Sequence, residues 1–328
     1  MSNVIDAQLQ AALEDLTAAL PRQPGRLAQW REAVNRHCEP LPAVASIKEV
    51  SIPVEKGMIP LRLFIPLGSN PPYAAHIFYP AGGFFPGDLA TAEGWCREVC
   101  AGVGCIVVCV GYRVPTKFTT AYRCPTPGRD GYAALRWVAL HAAEYGMDVH
   151  RISIGGESLG ATVAALSAAM AARQGGPVLR FQVLEMPAAD FTLEDDAAHY
   201  PSLTLYGARH LLTYQALRSF KKLYLASPPQ GYKGQASPIF AENLAHLPPT
   251  LLTTAAYDPL RDEGEAYGRL LWGAGVPVVT KRWPLFHGAG HLTALPAAQD
   301  YRDMVISTLR RAYGLLLAGH ASAPAHAR

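Results

Sequence analysis

A serine between two glycines is the segment of this chain whose residue types and spacing point most directly to chemistry. Residues 156–160 read Gly-Glu-Ser-Leu-Gly, after an apolar run at 151–155 and before a helix-like stretch at 161–170. In a sharp turn from a strand into a helix, glycines let the backbones approach, and the serine hydroxyl is lifted above the sheet at the positive end of the helix. The segment therefore predicts that Ser158 is a nucleophile. A glycine-rich loop beside a buried helix is the alternative interpretation.

A carboxylate is expected to follow the serine along the chain. A serine hydroxyl is a poor nucleophile at neutral pH and needs a base, usually a histidine oriented by an acid, and in this architecture the order is Ser, acid, His. Asp258 directly follows the apolar run 251–255, and Asp262 lies one turn further on. We therefore expect Asp258 to be the acid and Asp262 to be a surface or helix-start charge. The alternative role of Asp258 is an N-cap for a helix that begins at Pro259.

Two histidines, His287 and His291, follow the last predicted strand. His287 comes first, and Gly288 allows the loop to bend back toward the serine. A histidine in a loop is more often a solvent-exposed or capping residue, but this loop lies where the architecture needs a base. We therefore expect His287, rather than His291, to accept the serine proton.

The loop after the third predicted strand is rich in glycine. Residues 79–87 read Tyr-Pro-Ala-Gly-Gly-Phe-Phe-Pro-Gly. An oxyanion hole needs rigid backbone N–H groups directed at the developing negative charge. We expect the N–H groups of Gly82 and Gly83 to form it, together with the N–H of Leu159, the residue after the serine. A simple strand-to-helix turn is the alternative.

Apolar runs alternate with helical stretches along most of the chain. The first two runs flank a Lys-Gly turn and predict an antiparallel hairpin, whereas the later runs are apolar on both faces, which is typical of parallel strands covered by helices. The pattern therefore predicts an α/β fold with a mainly parallel sheet of about eight strands, of which the first pair is antiparallel. The predicted strands are 50–54, 60–65, 75–79, 105–110, 152–154, 181–184, 251–255 and 276–279.

Two segments do not fit this alternation. The N-terminal residues carry apolar side chains at helical spacing, and an insertion after the sixth predicted strand is too long for a plain connection. We expect both to form a helical cap over the C-terminal edge of the sheet, and the last residues to form a flexible tail. The predicted organisation is cap 1–45, core 46–190, cap insertion 191–235, core 236–317 and tail 318–328.

The composition excludes several classes of protein. Half of the 328 residues are hydrophobic, and the net charge is +3 without a basic run, so we expect a compact enzyme and no nucleic-acid binding. No membrane span or secretory signal is visible, so we expect a cytoplasmic location. The six cysteines lie mostly in apolar surroundings and are expected to be free thiols. No side-chain cluster with ligand spacing indicates a metal or an organic cofactor.

From about residue 46 to residue 315, the chain resembles the hormone-sensitive-lipase-like branch of the α/β-hydrolases, the bacterial class IV esterases. The resemblance implies an α/β-hydrolase fold, with a mostly parallel eight-stranded sheet, helices on both faces and a helical cap. It also implies the same catalytic residues and oxyanion donors as above, and self-association as a homodimer through the last strand and helix. The matching segments, in order, are 80–84, 111–115, 131–138, 156–160, 258–264 and 286–288.

Four residues depart from the pattern of that family. Pro80 replaces its histidine, Ala81 its first glycine, Gly111 the aspartate before Tyr-Arg, and Ala289 the usual phenylalanine. Because the changes at Pro80 and Gly111 remove polar partners together, we expect a different anchoring of the oxyanion loop. Ala81 is not expected to supply the N–H groups of the oxyanion hole.

These features predict a serine carboxylester hydrolase that acts on small to medium apolar or aryl esters through an acyl-enzyme. An amidase, lactonase or acyltransferase of a biosynthetic pathway would use the same catalytic residues. The altered oxyanion loop suggests another alternative, a non-catalytic ligand-binding protein on the same scaffold, but the complete set of Ser158, Asp258 and His287 argues against it. The bulky residues of the insertion either contact substrate or form the core of the cap; they include Tyr200, Tyr206, Tyr214 and Phe220.

Overall fold

One sheet runs through the protein. The computed structural model describes residues 5–20, 27–68, 70–82, 88–116, 118–192, 196–208 and 211–315, so the predicted tail at 318–328 lies outside the described residues. Within them, the strands are β1 (Ser46–Val54), β2 (Gly57–Ile65), β3 (Tyr73–Tyr79), β4 (Ile106–Val110), β5 (Met147–Glu157), β6 (Phe181–Glu185), β7 (Thr250–Tyr257) and β8 (Val278–Phe286).

The strands lie side by side in the order β1-β2-β4-β3-β5-β6-β7-β8. β1 pairs antiparallel with β2, and β2 pairs antiparallel with β4, while all later neighbours are parallel. The predicted α/β fold with a mainly parallel, eight-stranded sheet is therefore confirmed. β8 is longer than the predicted run because it is an edge strand: Lys281 and Arg282 are exposed there and interrupt the apolar pattern.

Helices cover both faces of the sheet. The helices among the described residues are α1 (Ala7–Ala19), α2 (Leu27–Arg36), α3 (Glu93–Val103), α4 (Thr126–Leu140), α5 (Leu159–Gln174), α6 (Asp196–His199), α7 (Ser202–Tyr206), α8 (Tyr214–Tyr224), α9 (Arg261–Gly273) and α10 (Gln299–Ala312).

Each face of the sheet carries its own hydrophobic cluster, to which a different set of helices contributes. On one face, α3 and α10 pack against the sheet through buried residues such as Trp95 and Tyr301, and buried residues of α1 and α2 join the same cluster. On the other face, α4, α5 and α9 pack through residues such as Leu135 and Tyr267. Burying a large apolar side chain contributes about 1.5–3 kcal/mol, so these two layers hold the strand ends in place.

The insertion after β6 has its own core. Tyr200, Phe220 and Tyr224 are buried there together with Leu159, the first residue of α5. Its helix α8 carries a buried lysine, Lys221, whose Nζ lies 3.7 Å from the carboxylate of Glu263 on α9. Burial raises the pKa of Glu263 to about 7, against the opposing charge of Lys221. The pair joins the insertion to the helix that follows β7.

The sequence predicts free cysteine thiols and no membrane span, and the structure bears on both expectations. All six thiols are free, and all except Cys38 are buried, in clusters on α3, on β4 and beside the insertion. Among the described helices, none combines the length and the apolar character needed to cross a bilayer.

Candidate active site

Ser158 lies in the sharp turn between β5 and α5. Its φ of 57° and ψ of −122° are strained for a non-glycine residue, and its N–H donates to the carbonyl of Glu185 at 2.8 Å. A Cβ on Gly156 would lie 2.5 Å from the carbonyl oxygen of Tyr79, and a Cβ on Gly160 would lie 2.0 Å from it. Only glycine fits at both flanks, because the end of β3 passes directly behind the turn.

The structure brings Asp258 and His287 to this serine. Nε2 of His287 lies 3.0 Å from Oγ of Ser158, and its Nδ1 lies 2.8 Å from Oδ2 of Asp258. Asp258 follows β7 and His287 follows β8, so both leave the same edge of the sheet as Ser158. All three side chains are buried. Oδ1 of Asp258 also accepts the N–H of Leu260 at 2.9 Å, so the aspartate stabilises the turn before α9 as well.

The two alternative residues lie elsewhere. Asp262 accepts the N–H of Ser202 at 2.7 Å and pairs with Arg261. His291 lies between two carboxylates, with Nδ1 3.3 Å from Glu157 and Nε2 2.9 Å from Glu185. In the part of the chain that the structure describes, neither residue forms a hydrogen bond with Ser158.

Opposing effects act on the pKa of His287. Burial disfavours the charged imidazolium, but the charge and the hydrogen bond of Asp258, together with the charge of Glu157, outweigh it and raise the pKa above 6.5. The imidazolium is therefore stabilised in this site. A base that becomes positively charged when it removes the serine proton benefits from such an environment.

The loop after β3 is anchored by a tyrosine hydroxyl. The hydroxyl of Tyr112 donates to the carbonyl of Pro80 at 2.7 Å, and a Cβ on Gly82 would lie 3.2 Å from the same hydroxyl. A Cβ on Gly111 would lie 2.7 Å from Cγ of Pro60, so an aspartate would not fit there without a shift. Gly82 is described, whereas Gly83 lies outside the described residues. Leu159, the residue directly after the serine, is the first residue of α5, so its N–H lies at the N-terminus of that helix.

The segment after Gly111 is held from several sides. The guanidinium of Arg113 makes a two-point contact with Asp130 of α4, at 2.8 and 2.7 Å, and donates to the carbonyls of Glu55 and Lys56 in the turn between β1 and β2. Asp130 is itself almost fully buried. Bidentate pairs of this kind fix geometry as well as adding stability, so Tyr112 is positioned rigidly beside the loop.

Comparison with known proteins identifies the family. A model of the alpha/beta hydrolase fold family matches residues 76–292. This chain belongs to the α/β-hydrolase family. Within that family it lies in the hormone-sensitive-lipase-like esterase branch, in agreement with the motifs found in its sequence.

Relatives of this α/β-hydrolase carry esterase names. Esterase LipI of Mycobacterium tuberculosis is 39% identical over 71% of both chains, and the ethyl acetate hydrolase of Pseudomonas putida is 31% identical over 71% of both. Among solved structures, the hyperthermophilic esterase of Pyrobaculum calidifontis superimposes with a TM-score of 0.84 at 28% identity, covering 94% of this chain and 98% of that one.

A cleft opens beside His287 of the α/β-hydrolase. Its cavity volume is about 100 Å³, and it is partly open to solvent. Helices α1 and α2, the end of β3, the insertion and the loop after β8 all contribute to its wall. Apolar side chains form most of this wall, among them Leu16, Trp30, Val34, Phe78, Leu211 and Leu292.

Sequence reasoning missed these lining residues. Trp30 belongs to an amphipathic helix, and its spacing indicates only a buried face. Glu157 lines the cleft as well. It occupies a position of the Gly-x-Ser-x-Gly pattern at which the pattern specifies no residue type, so the motif gives it no role. The predicted bulky aromatic residues of the insertion are not among the described lining residues, and Tyr200 and Phe220 are instead part of its core.

Proposed function

We propose that this chain hydrolyses carboxylic esters through an acyl-enzyme on Ser158. Its membership in the esterase branch supports the reaction class, and its named relatives do not favour an amidase, lactonase, acyltransferase or non-catalytic role. One observation carries the serine mechanism: a continuous hydrogen-bond network links Asp258, His287 and Ser158. Oδ2 of Asp258 lies 2.8 Å from Nδ1 of His287, and Nε2 of His287 lies 3.0 Å from Oγ of Ser158.

His287 acts first as a base and then as an acid. Its Nε2 removes the proton of Ser158 while Oγ attacks the ester carbonyl carbon, which gives a tetrahedral intermediate. Asp258 holds the proton on Nδ1 and stabilises the imidazolium. As the bond from the carbonyl carbon to the alcohol oxygen breaks, His287 protonates the leaving alcohol. The same nitrogen then activates water, which attacks the acyl-enzyme and releases the acid.

The oxyanion is stabilised by backbone N–H groups in this proposal. Leu159 supplies one from the start of α5, where the helix dipole also favours negative charge. Gly82 and Gly83 supply the others, from the loop that Tyr112 anchors. Losing one donor of this kind typically lowers turnover about 100- to 1,000-fold.

The cleft supports small to medium apolar or aryl esters as substrates. Its wall is mostly hydrophobic and adjoins His287, so an acyl or alcohol group of moderate size gains binding energy from apolar burial. We further propose that residues 1–45 and 191–235 act as the cap, because α1, α2 and Leu211 of the insertion contribute to this wall. The cytoplasmic location and the homodimer stay predictions.

Covalent labelling tests the nucleophile. We expect a fluorophosphonate probe to modify the protein at a single site, on the peptide that contains Ser158, because only a serine activated by a base attacks the phosphorus rapidly. Peptide mass spectrometry after digestion locates the adduct. An ester such as para-nitrophenyl butyrate is expected to slow the labelling by competition. Modification of another serine, or of none, would contradict the mechanism.

The pH dependence of hydrolysis follows from the environment of His287. The imidazole must be neutral to act as the base, and its pKa is raised above 6.5 in the folded protein. We therefore expect kcat/KM for ethyl butyrate to fall about tenfold per pH unit on the acidic side, with the midpoint above 6.5 rather than below it. A pH-stat assay, which titrates the released acid at constant pH, gives the profile of kcat/KM against pH. A midpoint below 6.5 would show that Asp258 and Glu157 do not stabilise the imidazolium.

A further inference from the structure

A pair of adjacent carboxylates lies behind the reactive serine. Glu157 ends β5 and Glu185 ends β6, and the two are direct partners in the parallel pairing of these strands. Both side chains are buried, with 8% and 1% of their surface exposed. Two like charges in such a site repel each other strongly unless a cation or hydrogen-bond donors compensate for them.

His291 is the cation between them. Burial lowers its pKa, but the charges of Glu157 and Glu185 and the hydrogen bond to Glu185 raise it to about 9. The imidazolium is stacked on the ring of Trp95, with centroids 4.8 Å apart, which fixes its plane. The nearby carboxylate of Glu98 pairs with Arg302 at 3.0 Å. One imidazolium therefore contacts both carboxylates.

The two carboxylates are not equally satisfied. Glu185 accepts hydrogen bonds from the indole N–H of Trp95 at 3.3 Å, from the hydroxyl of Tyr301 and from His291 at 2.9 Å. Among the residues that the structure describes, the carboxylate of Glu157 has only the ion pair from its Oε2 to His291 at 3.3 Å. Its Oε1 is buried and accepts no hydrogen bond from any residue that the structure describes. The unsatisfied hydrogen-bonding capacity of the group therefore lies on Oε1 of Glu157.

Glu157 also forms part of the wall of the cleft beside His287. A Cβ built on Gly288, which follows the histidine, would lie 3.5 Å from Oε1. The rest of the wall is mostly apolar. A buried carboxylate oxygen without a donor is costly, and a ligand group that donates to it recovers that cost.

We propose that Glu157 is the acceptor of a recognition subsite, which binds a hydroxyl or ammonium group carried by the ester substrate. This rests on the proposed esterase function and narrows its substrate class from apolar esters to esters with a hydrogen-bond donor near the carbonyl. His291 acts as a positioning residue, because its Nδ1 holds Oε2 of Glu157 while its Nε2 is held by Glu185.

Pairs of matched esters test the subsite. Methyl butyrate is compared with both enantiomers of methyl β-hydroxybutyrate and methyl β-aminobutyrate, and propyl butyrate with glycol monobutyrate, so that the donor is placed on either side of the ester. For at least one pair, we expect kcat/KM of the donor-bearing ester to be about 10- to 100-fold higher in the unaltered protein. If no donor-bearing ester is preferred, the proposal is wrong, whether or not the variants below fold.

Substitutions at Glu157 identify the acceptor. Glu157→Met is expected to bring the preference close to one, while Glu157→Gln is expected to keep part of a hydroxyl preference and to lose an ammonium preference. Glu144→Gln, on an exposed residue of another surface, is the control and should leave the ratio unchanged. Because the readout is a ratio, slower hydrolysis of both esters does not imitate the effect. If Glu157→Met hydrolyses plain esters and keeps the preference for donor-bearing ones, the subsite is wrong and the esterase function stands. If the unaltered protein hydrolyses none of the esters, the esterase function itself is wrong.

Discussion

Ser158→Ala is expected to lower kcat/KM for para-nitrophenyl butyrate by at least about 10,000-fold, to a level set by binding and the oxyanion donors alone. The reason is that Oγ forms the covalent bond to the acyl group, and no other hydroxyl is expected to replace it. Hydrolysis assays with purified variant, together with loss of fluorophosphonate labelling, measure the effect. Alanine accepts the positive φ of this position no worse than serine does, so the fold should be retained.

A matched control is available on the same helix. Ser167 is buried in α5, and its hydroxyl donates to the carbonyl of Val163 at 2.7 Å, away from the cleft. Ser167→Ala should keep hydrolysis within a few-fold of the unaltered protein. Retention of activity by Ser158→Ala within tenfold would show that the bond is broken without this nucleophile.

Asp258→Asn is expected to lower kcat about 1,000- to 10,000-fold while leaving KM and the free energy of unfolding much less affected. The asparagine amide keeps an oxygen for the N–H of Leu260, so the turn before α9 remains satisfied. It removes the negative charge, however, and its NH2 group favours the wrong tautomer of His287. Steady-state kinetics and chemical denaturation separate the catalytic effect from the structural one.

The same substitution moves the pH profile in a defined direction. Asp258 is a main contributor to the raised pKa of His287, so the acidic limb of the residual activity should move to lower pH. Asp262→Asn serves as the comparison, since that carboxylate contacts Ser202 and Arg261 rather than the histidine. Equal losses in the two variants would show that Asp258 acts only as a structural group at the start of the helix.

Much of the fold is predictable because its signals are local. The runs 75–79, 105–110 and 251–255 are apolar on both faces, and this marks parallel strands wherever the rest of the chain lies. The ends of β8 were not predicted well, because the exposed face of an edge strand accepts charged residues. The pairing order of the strands, with β4 between β2 and β3, is seen only in the tertiary structure, because the runs themselves do not record which strands are neighbours.

The sequence by itself determined which residue types meet at the site. Glycine spacing around Ser158 predicts a strand–turn–helix. Asp258 and His287 each follow a parallel strand, and the carboxyl ends of parallel strands meet at one edge of the sheet. Only the tertiary structure decided what surrounds them. Trp95 stacks on His291, and helices from the N-terminus line the cleft, through contacts between residues far apart in the chain. Such contacts depend on how the layers pack, which no local spacing records, and they leave Glu157 with an oxygen that accepts nothing from the described residues.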